Sequence, residues 1–270
     1  MHTIDPTARI EAGAVLGRNV IVGPYCTIGP HVQIGDDCRL DSHVNIAGHT
    51  TVGPRTTISS FASLGTPPQS VHYHGEPTKL VVGADCVIRE HVTMNIGTGA
   101  GKGQTVVGDH CFFMVGAHVG HDCVVGSHVT FANNATLGGF CEIGDHVFLG
   151  GLSAVHQFVR VGTQAMVGGL VGVRFDVIPY SMVYGHYGVL AGINKVGLKR
   201  RGFSPEAIRG IYRGYRAIFY GEGQMSDRVE KAAAAYKDDA NVMRMIEFVR
   251  SAQKRRLTVP RARSAGADAD

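Results

Sequence analysis

Three of the fourteen histidines in this 270-residue chain stand outside any pattern, and they carry the first chemical signal. Seven others (His31, His43, His49, His91, His110, His128 and His146) recur three residues after an apolar position and belong to the outward side of a repeat. His118, His121 and His156 break that rule, and His121 is followed directly by Asp122. An imidazole with an adjoining carboxylate is the minimal equipment of a general base near neutral pH, because the unperturbed histidine pKa is ~6.5. No GxSxG segment presents a serine nucleophile. The pattern therefore favours direct transfer to an acceptor deprotonated by His121 over a covalent enzyme intermediate.

What must position these side chains is a period of six. Apolar anchors run from Ile4 to Leu64, from Val82 to Met94 and from Val107 to Val173, 26 in all without a polar exception, and 15 are followed at once by Gly. Six matches neither the 3.6 of a helix nor the 2 of a strand. It is the signature of a solenoid in which three hexads close one triangular coil and successive coils stack as parallel strands. At about 4.8 Å per coil, roughly nine coils give a prism about 40 Å long. The Gly after an anchor is expected at a corner, where backbone strain or close approach excludes a Cβ. A smaller inward residue follows each anchor by four. All six cysteines (Cys26, Cys38, Cys86, Cys111, Cys123, Cys141) fall there, and no CxxC spacing suggests zinc or a disulfide framework. This reads as a reduced, intracellular protein.

The start of the chain lacks a secretory pattern and no apolar run reaches the ~18 residues of a membrane span, so a cytoplasmic site of action is expected. A net charge of +4 gives no argument for nucleic acid. The charge is uneven, however: Lys195, Lys199, Arg200, Arg201, Arg209, Arg213 and Arg216 face a single acid, Glu206, which is either a solvated helix face or a docking patch for an acidic partner. The hexads lapse at 65–81 and 95–106, the places for extruded loops that carry function. The GTGAGKG of the second lapse lacks the spacing of a nucleotide P-loop. After Val177 and Pro179 the repeat ends. Ser204-Pro205-Glu206 predicts a helix from Pro205 to about Tyr220, with Ile208, Ile211, Tyr212, Tyr215 and Phe219 on one face. Two more are expected, from Ser226-Asp227 to about Lys237 and from Ala240 to about Lys254. The organisation is thus an all-β solenoid over 1–190, a small α-helical domain over 191–260, and a tail over 261–270 whose composition predicts disorder.

The segments AHVGHDCVVG (117–126), NNATLGG (133–139), GGLSAVHQF (150–158), MVGG (166–169) and GLKRRGFS (197–204) together resemble the UDP-N-acetylglucosamine 3-O-acyltransferases of lipid A biosynthesis, over nearly the whole chain. The resemblance implies a left-handed parallel β-helix, contrary to the usual right-handed crossover, and a homotrimer with active sites between subunits. It implies His121 as general base, Asp122 as its orienting partner and the Gly139 N–H as oxyanion donor. It implies substrate contacts from His118, His156, Gln157, Asn194, Arg200 and Arg201, and from Gln69, Ser70 and His72 in the first extruded loop. Gly169 matches the position that limits acyl-chain length, where a glycine leaves room. The acyl donor would be a 3-hydroxyacyl group on the phosphopantetheine of acyl carrier protein, with no other cofactor and no metal, and that acidic protein would suit the Lys195–Arg216 patch.

Five positions depart from the family pattern: Ser70 and His72 replace an acid and a lysine, Phe140 a histidine, Ile96 an arginine and Val196 an acid. They cluster on the acceptor side, which raises a 3-amino sugar nucleotide, giving an amide, as an alternative acceptor, and a catalytically inactive scaffold as another. A later N-acyltransferase of the same pathway carries an extra N-terminal domain, for which hexads beginning at Ile4 leave no room. A γ-type carbonic anhydrase needs histidines about five apart, whereas His118 and His121 are three apart.

Overall fold

The computed structural model describes residues 3–252 and 255–261. Its repeat is the one the apolar period predicts. Most hexads contribute a two-residue strand that ends on its anchor, those beside the extruded loops are longer, and every third strand joins the same sheet. The first sheet begins with Thr3–Ile4, the second with Arg9–Ile10 and the third with Val15–Leu16, and they hold eleven, nine and eight strands. Anchors pair with anchors (Val22 with Leu40, Ile28 with Ile46, Phe113 with Phe131), so each apolar side chain stacks on one from the next coil. From Val22 to Val173 the anchors are buried. Ile4 is 42% exposed, because the first coil has no coil beneath it. The six cysteines are free and buried, with Sγ groups turned to backbone carbonyls such as Gly138 O, 3.1 Å from Cys123.

The corners divide the two roles that the sequence assigned to one glycine. Gly35, directly after an anchor, has ordinary φ, but a Cβ there would lie 2.7 Å from Pro54 N of the next coil, so close approach alone excludes a side chain. Backbone strain sits two residues later. Nineteen described non-glycine residues have φ between 55° and 66°, and all but Tyr180 fall three residues after an anchor. Asn, Asp and His tolerate this left-handed region best, which explains why His43, His91, His110, His128 and His146 recur there. Stacked one coil apart, they form ladders: His110, His128 and His146 have ring centroids 4.8 and 4.7 Å apart. Five of the seven repeat histidines are exposed as expected; His49 and His146 are half-buried under their neighbours.

Both lapses of the hexad leave the prism at one corner, between the second and third sheets. The first departs after Ser63–Thr66 and returns at Lys79–Val82; the second departs after Thr93–Asn95 and returns at Gln104–Val107. Beyond the hexads, Ser181–Tyr184 continues the first sheet and pairs antiparallel with Val189–Ile193, a strand that straddles the expected division at 190/191.

Four helices follow: α1 (Lys195–Arg200), α2 (Pro205–Phe219), α3 (Met225–Ala235) and α4 (Ala240–Ser251). The short α1 had no sequence forecast. As predicted, Ser204 caps α2, accepting from Ala207 N at 3.1 Å. Ser226 does not cap α3, which starts one residue earlier behind Gln224 without a side-chain cap. The buried face of α2 is Ile211, Tyr215 and Ile218, because Gly214 lets α4 approach: a Cβ there would lie 2.7 Å from Val242 Cγ1. Tyr212, expected on that face, is turned outward, with Lys195 Nζ 4.9 Å from its ring centre. No described helix is long and apolar enough to cross a membrane. The tail expected to be disordered lies outside the described residues from 262 onward.

Candidate active site

Val119 anchors the second sheet, and the chain turns the corner toward the third through Gly120, His121 and Asp122. Asp122 takes the left-handed corner conformation at φ 59°. One and two coils on, the same corner position holds Phe140 and Phe158, stacked on each other at 4.6 Å. Asp122 differs from both in being fully buried, because the second extruded loop folds over it.

Its carboxylate accepts from His121 Nδ1 (2.8 Å), Thr98 Oγ1 (2.7 Å), Thr98 N (3.1 Å) and Lys102 N (2.8 Å). With Nδ1 donating to the carboxylate, the tautomer is assigned and His121 Nε2 keeps its lone pair. That nitrogen faces Gly139 of the next coil, where a Cβ would lie 2.6 Å from both Cε1 and Nε2. Gly139 is buried, and its N–H donates to no group among the described residues. Phe140 stands edge-on to the imidazole, with ring centres 5.1 Å apart. His118, on the strand leading to this corner, shares a 2.8 Å hydrogen bond between its Nδ1 and Thr93 Oγ1. Burial, and then the nearby His121, push the His118 pKa below that of a free imidazole. Gln157 packs on Gly138, whose Cβ would lie 3.0 Å from its Cγ, and His156 beside it is exposed.

The chain thus brings His118, His121, Asp122, Gly139 and Gln157 to one edge of the prism. His156, next to Gln157, and the first extruded loop with Gln69, Ser70 and His72 stand at this same corner, whereas Gly169, Asn194, Arg200 and Arg201 do not. Gly169 lies at the corner between the first and second sheets, against Gly151. Asn194, Arg200 and Arg201 lie at the third edge with α1. The Asn194 side chain is buried and committed to local structure, accepting from Gly197 N at 3.0 Å and donating to Gln164 O at 2.9 Å. Burial lowers the Arg201 guanidinium pKa from its usual value. Gln69, Ser70 and His72 lie in the first extruded loop, where Ser70 Oγ accepts from His72 N at 3.3 Å. Ile96 is buried and Val196 is exposed. Cavities of about 540 and 680 Å³ lie beside α3 and α4.

Sequence reasoning missed Thr98, Lys102 and Thr105, which accepts from Asp122 N at 2.8 Å. The glycine-rich GTGAGKG was their only signal. Among the described residues no group of three ligating side chains is arranged to hold a metal ion.

Known proteins can now be set beside this geometry. Residues 176–258 match the family described as UDP N-acetylglucosamine O-acyltransferase, domain 2, and residues 104–139 match the bacterial transferase hexapeptide repeat. An acyl-[acyl-carrier-protein]–UDP-N-acetylglucosamine O-acyltransferase of Azorhizobium caulinodans is 56% identical over 259 residues, 95% of either chain. The protein of that name from Methylobacterium radiotolerans is 59% identical over 204 residues, 76% of this chain and 75% of its own. Among solved structures, the Francisella novicida UDP-N-acetylglucosamine acyltransferase superposes with a TM-score of 0.91 at 33% identity, covering 96% of this chain and 94% of that one. The Arabidopsis UDP-N-acetylglucosamine acyltransferase does so with 0.81 at 30%, covering 94% and 98%.

Proposed function

Since this chain belongs to the acyl-[acyl-carrier-protein]–UDP-N-acetylglucosamine O-acyltransferase family, we propose that it moves a 3-hydroxyacyl group from acyl carrier protein to the 3-hydroxyl of UDP-N-acetylglucosamine, the first step of lipid A biosynthesis. The observation that carries the mechanism is the unpaired N–H of buried Gly139 beside the free Nε2 of His121. A buried donor without a partner calls for an acceptor from outside the chain.

In this reading His121 Nε2 takes the proton of the sugar 3-hydroxyl as its oxygen attacks the thioester carbonyl. Asp122 holds the imidazole by Nδ1 and stabilises the imidazolium that forms. The tetrahedral oxyanion accepts from Gly139 N–H. As the C–S bond breaks, the proton passes from His121 to the phosphopantetheine sulfur, leaving an ester and a free thiol. His118, His156 and Gln157 supply polar contacts along the same edge.

Gly169, Arg200 and Arg201 would serve this site from a neighbouring subunit, since one chain sets them on other edges, with buried Asn194 holding the start of α1 behind the two arginines. That separation supports a homotrimer, and the likeness to the hexapeptide family and to the solved acyltransferases supports a left-handed parallel β-helix in each subunit. The exposed Lys195–Arg216 patch is the docking surface for acidic acyl carrier protein, and buried free thiols suit the cytoplasm. Transfer to oxygen is favoured over the amide-forming alternative because the relatives are named O-acyltransferases. An assembled dyad argues against an inactive scaffold.

The test is acyl transfer from 3-hydroxyacyl-acyl carrier protein, scanned over chain length, to UDP-N-acetylglucosamine and its 3-amino analogue. Transfer to the hydroxyl is expected to prevail. His121→Ala should lose ~10²–10⁴-fold with an unchanged melting temperature; retained activity would remove His121 from the mechanism.

A further inference from the structure

Orienting His121 requires one hydrogen bond from its Nδ1 to Asp122, yet the second extruded loop supplies three more donors to the same carboxylate. Thr98 gives its hydroxyl and its backbone N–H, and Lys102 its backbone N–H. The loop is shaped for this purpose. Gly101 passes so close that a Cβ would lie 2.5 Å from Asp122 Cγ and 2.6 Å from Oδ2. The turn closes on itself, with Gly101 N and Gly103 N both donating to Thr98 O, at 3.1 and 3.2 Å. Lys102 Nζ then ties its outer side to Glu142 at 2.8 Å. Thr98 is buried, and no part of it needs solvent.

Resting on the reading of His121 as base, we propose that residues 95–106 form a cage around Asp122 and that Thr98 is its positioning residue. Oδ2 takes both the Thr98 hydroxyl and His121 Nδ1. Thr98 N is shared between the two carboxylate oxygens, at 3.1 and 3.2 Å, and Lys102 N holds Oδ1, so the hydroxyl is the shortest loop contact to Oδ2 beside the imidazole. Without that hydroxyl only the shared Thr98 N–H holds Oδ2 from the loop side, and the carboxylate turns more freely about its Cβ–Cγ bond. The His121 hydrogen bond is then shared among orientations, the Nδ1–H tautomer is no longer enforced, and the imidazolium is less stabilised. An extruded loop far from His121 in sequence thereby sets the strength of the base.

The experiment compares Thr98→Val, Thr98→Ser and Gly101→Ala with the wild-type trimer. Partners that orient a metal-ligating histidine are worth roughly 10–100-fold, and a base held in the same way sets the same scale. Thr98→Val should therefore lower kcat about 10-fold with KM little changed, and should move the acid limb of the kcat/KM pH profile to lower pH. Thr98→Ser should restore both, because it restores the hydroxyl. Gly101→Ala, which pushes the loop off the carboxylate, should reproduce the Thr98→Val profile and serves if that variant folds poorly. Wild-type kcat and pH profile in Thr98→Val, or no rescue by serine, overturns the proposal. Nitrogen NMR of the His121 ring reads the tautomer without turnover: a single Nδ1–H form in the wild type and a mixture in Thr98→Val. An unchanged tautomer sinks the cage, whereas an active His121→Ala would sink the base assignment instead, so the two failures are distinguishable.

Discussion

A histidine becomes a useful base when one nitrogen is committed and the other is free, and at this edge a buried carboxylate makes the commitment. Asp122 fixes Nδ1 at 2.8 Å, and glycine at 139 clears the space in front of Nε2. Glycine is required there for proximity, since even a methyl group would lie 2.6 Å from the nitrogen. Gly139→Ala should thus displace the imidazole and weaken the oxyanion donor together, for a loss on the order of 10²–10³-fold in kcat, with little change in thermal stability. Steady-state kinetics beside a thermal melt would check it; near-wild-type turnover would mean that Gly139 does not face the reacting nitrogen.

At the scale of the element, the corner is the unit that does most. It forces one residue in six into the left-handed region, at about 1–2 kcal/mol each, and the stacking of coils offsets that cost. Aromatic and imidazole rings at these positions fall into ladders. Imidazoles in a ladder cannot all charge cheaply. For His146, burial, then His128 and Arg201, depress the pKa, with Asp145 opposing. The unfolded chain, with an ordinary imidazole near 6.5, therefore binds protons more readily than the folded one. Stability from this group is fully present above that value and is lost as pH falls below it. Melts between pH 7 and 5 should show a declining midpoint, and His146→Asn, which suits the left-handed corner, should flatten the slope. An identical slope in the variant would remove the ladder from the explanation.

Across the whole molecule, stability and function use different parts of the same coil. The interior is continuous, so Val125, 1% exposed between Val107 and Ile143, cannot accept a charge. An unpaired carboxylate there costs several kcal/mol or more. Val125→Asp should yield insoluble protein, while Val124→Thr, on the outward side of the same strand, should fold and sediment as three copies; solubility and sedimentation measure both. The expected site residues, by contrast, are spread over all three edges. A prism has no deep cleft of its own, and a second subunit set against an edge is the natural way to build one.

The amino-acid sequence by itself determined the coil, the inward cysteines, the capped α2 and the pairing of His121 with Asp122, because each depends on residues close along the chain or on a strict period. Local spacing also marked both loops as departures. It could not show that Thr98 closes on Asp122 or that Gly139 lies against Nε2. Those contacts join residues one coil apart, and only the stacking of coils brings them into register. The same limit hid α1, too short to show a period, and put Tyr212 on the wrong face of α2, where Gly214 and α4 decide what is buried. Period and neighbour chemistry are written in the chain; which side chains meet across coils is settled when the coils stack.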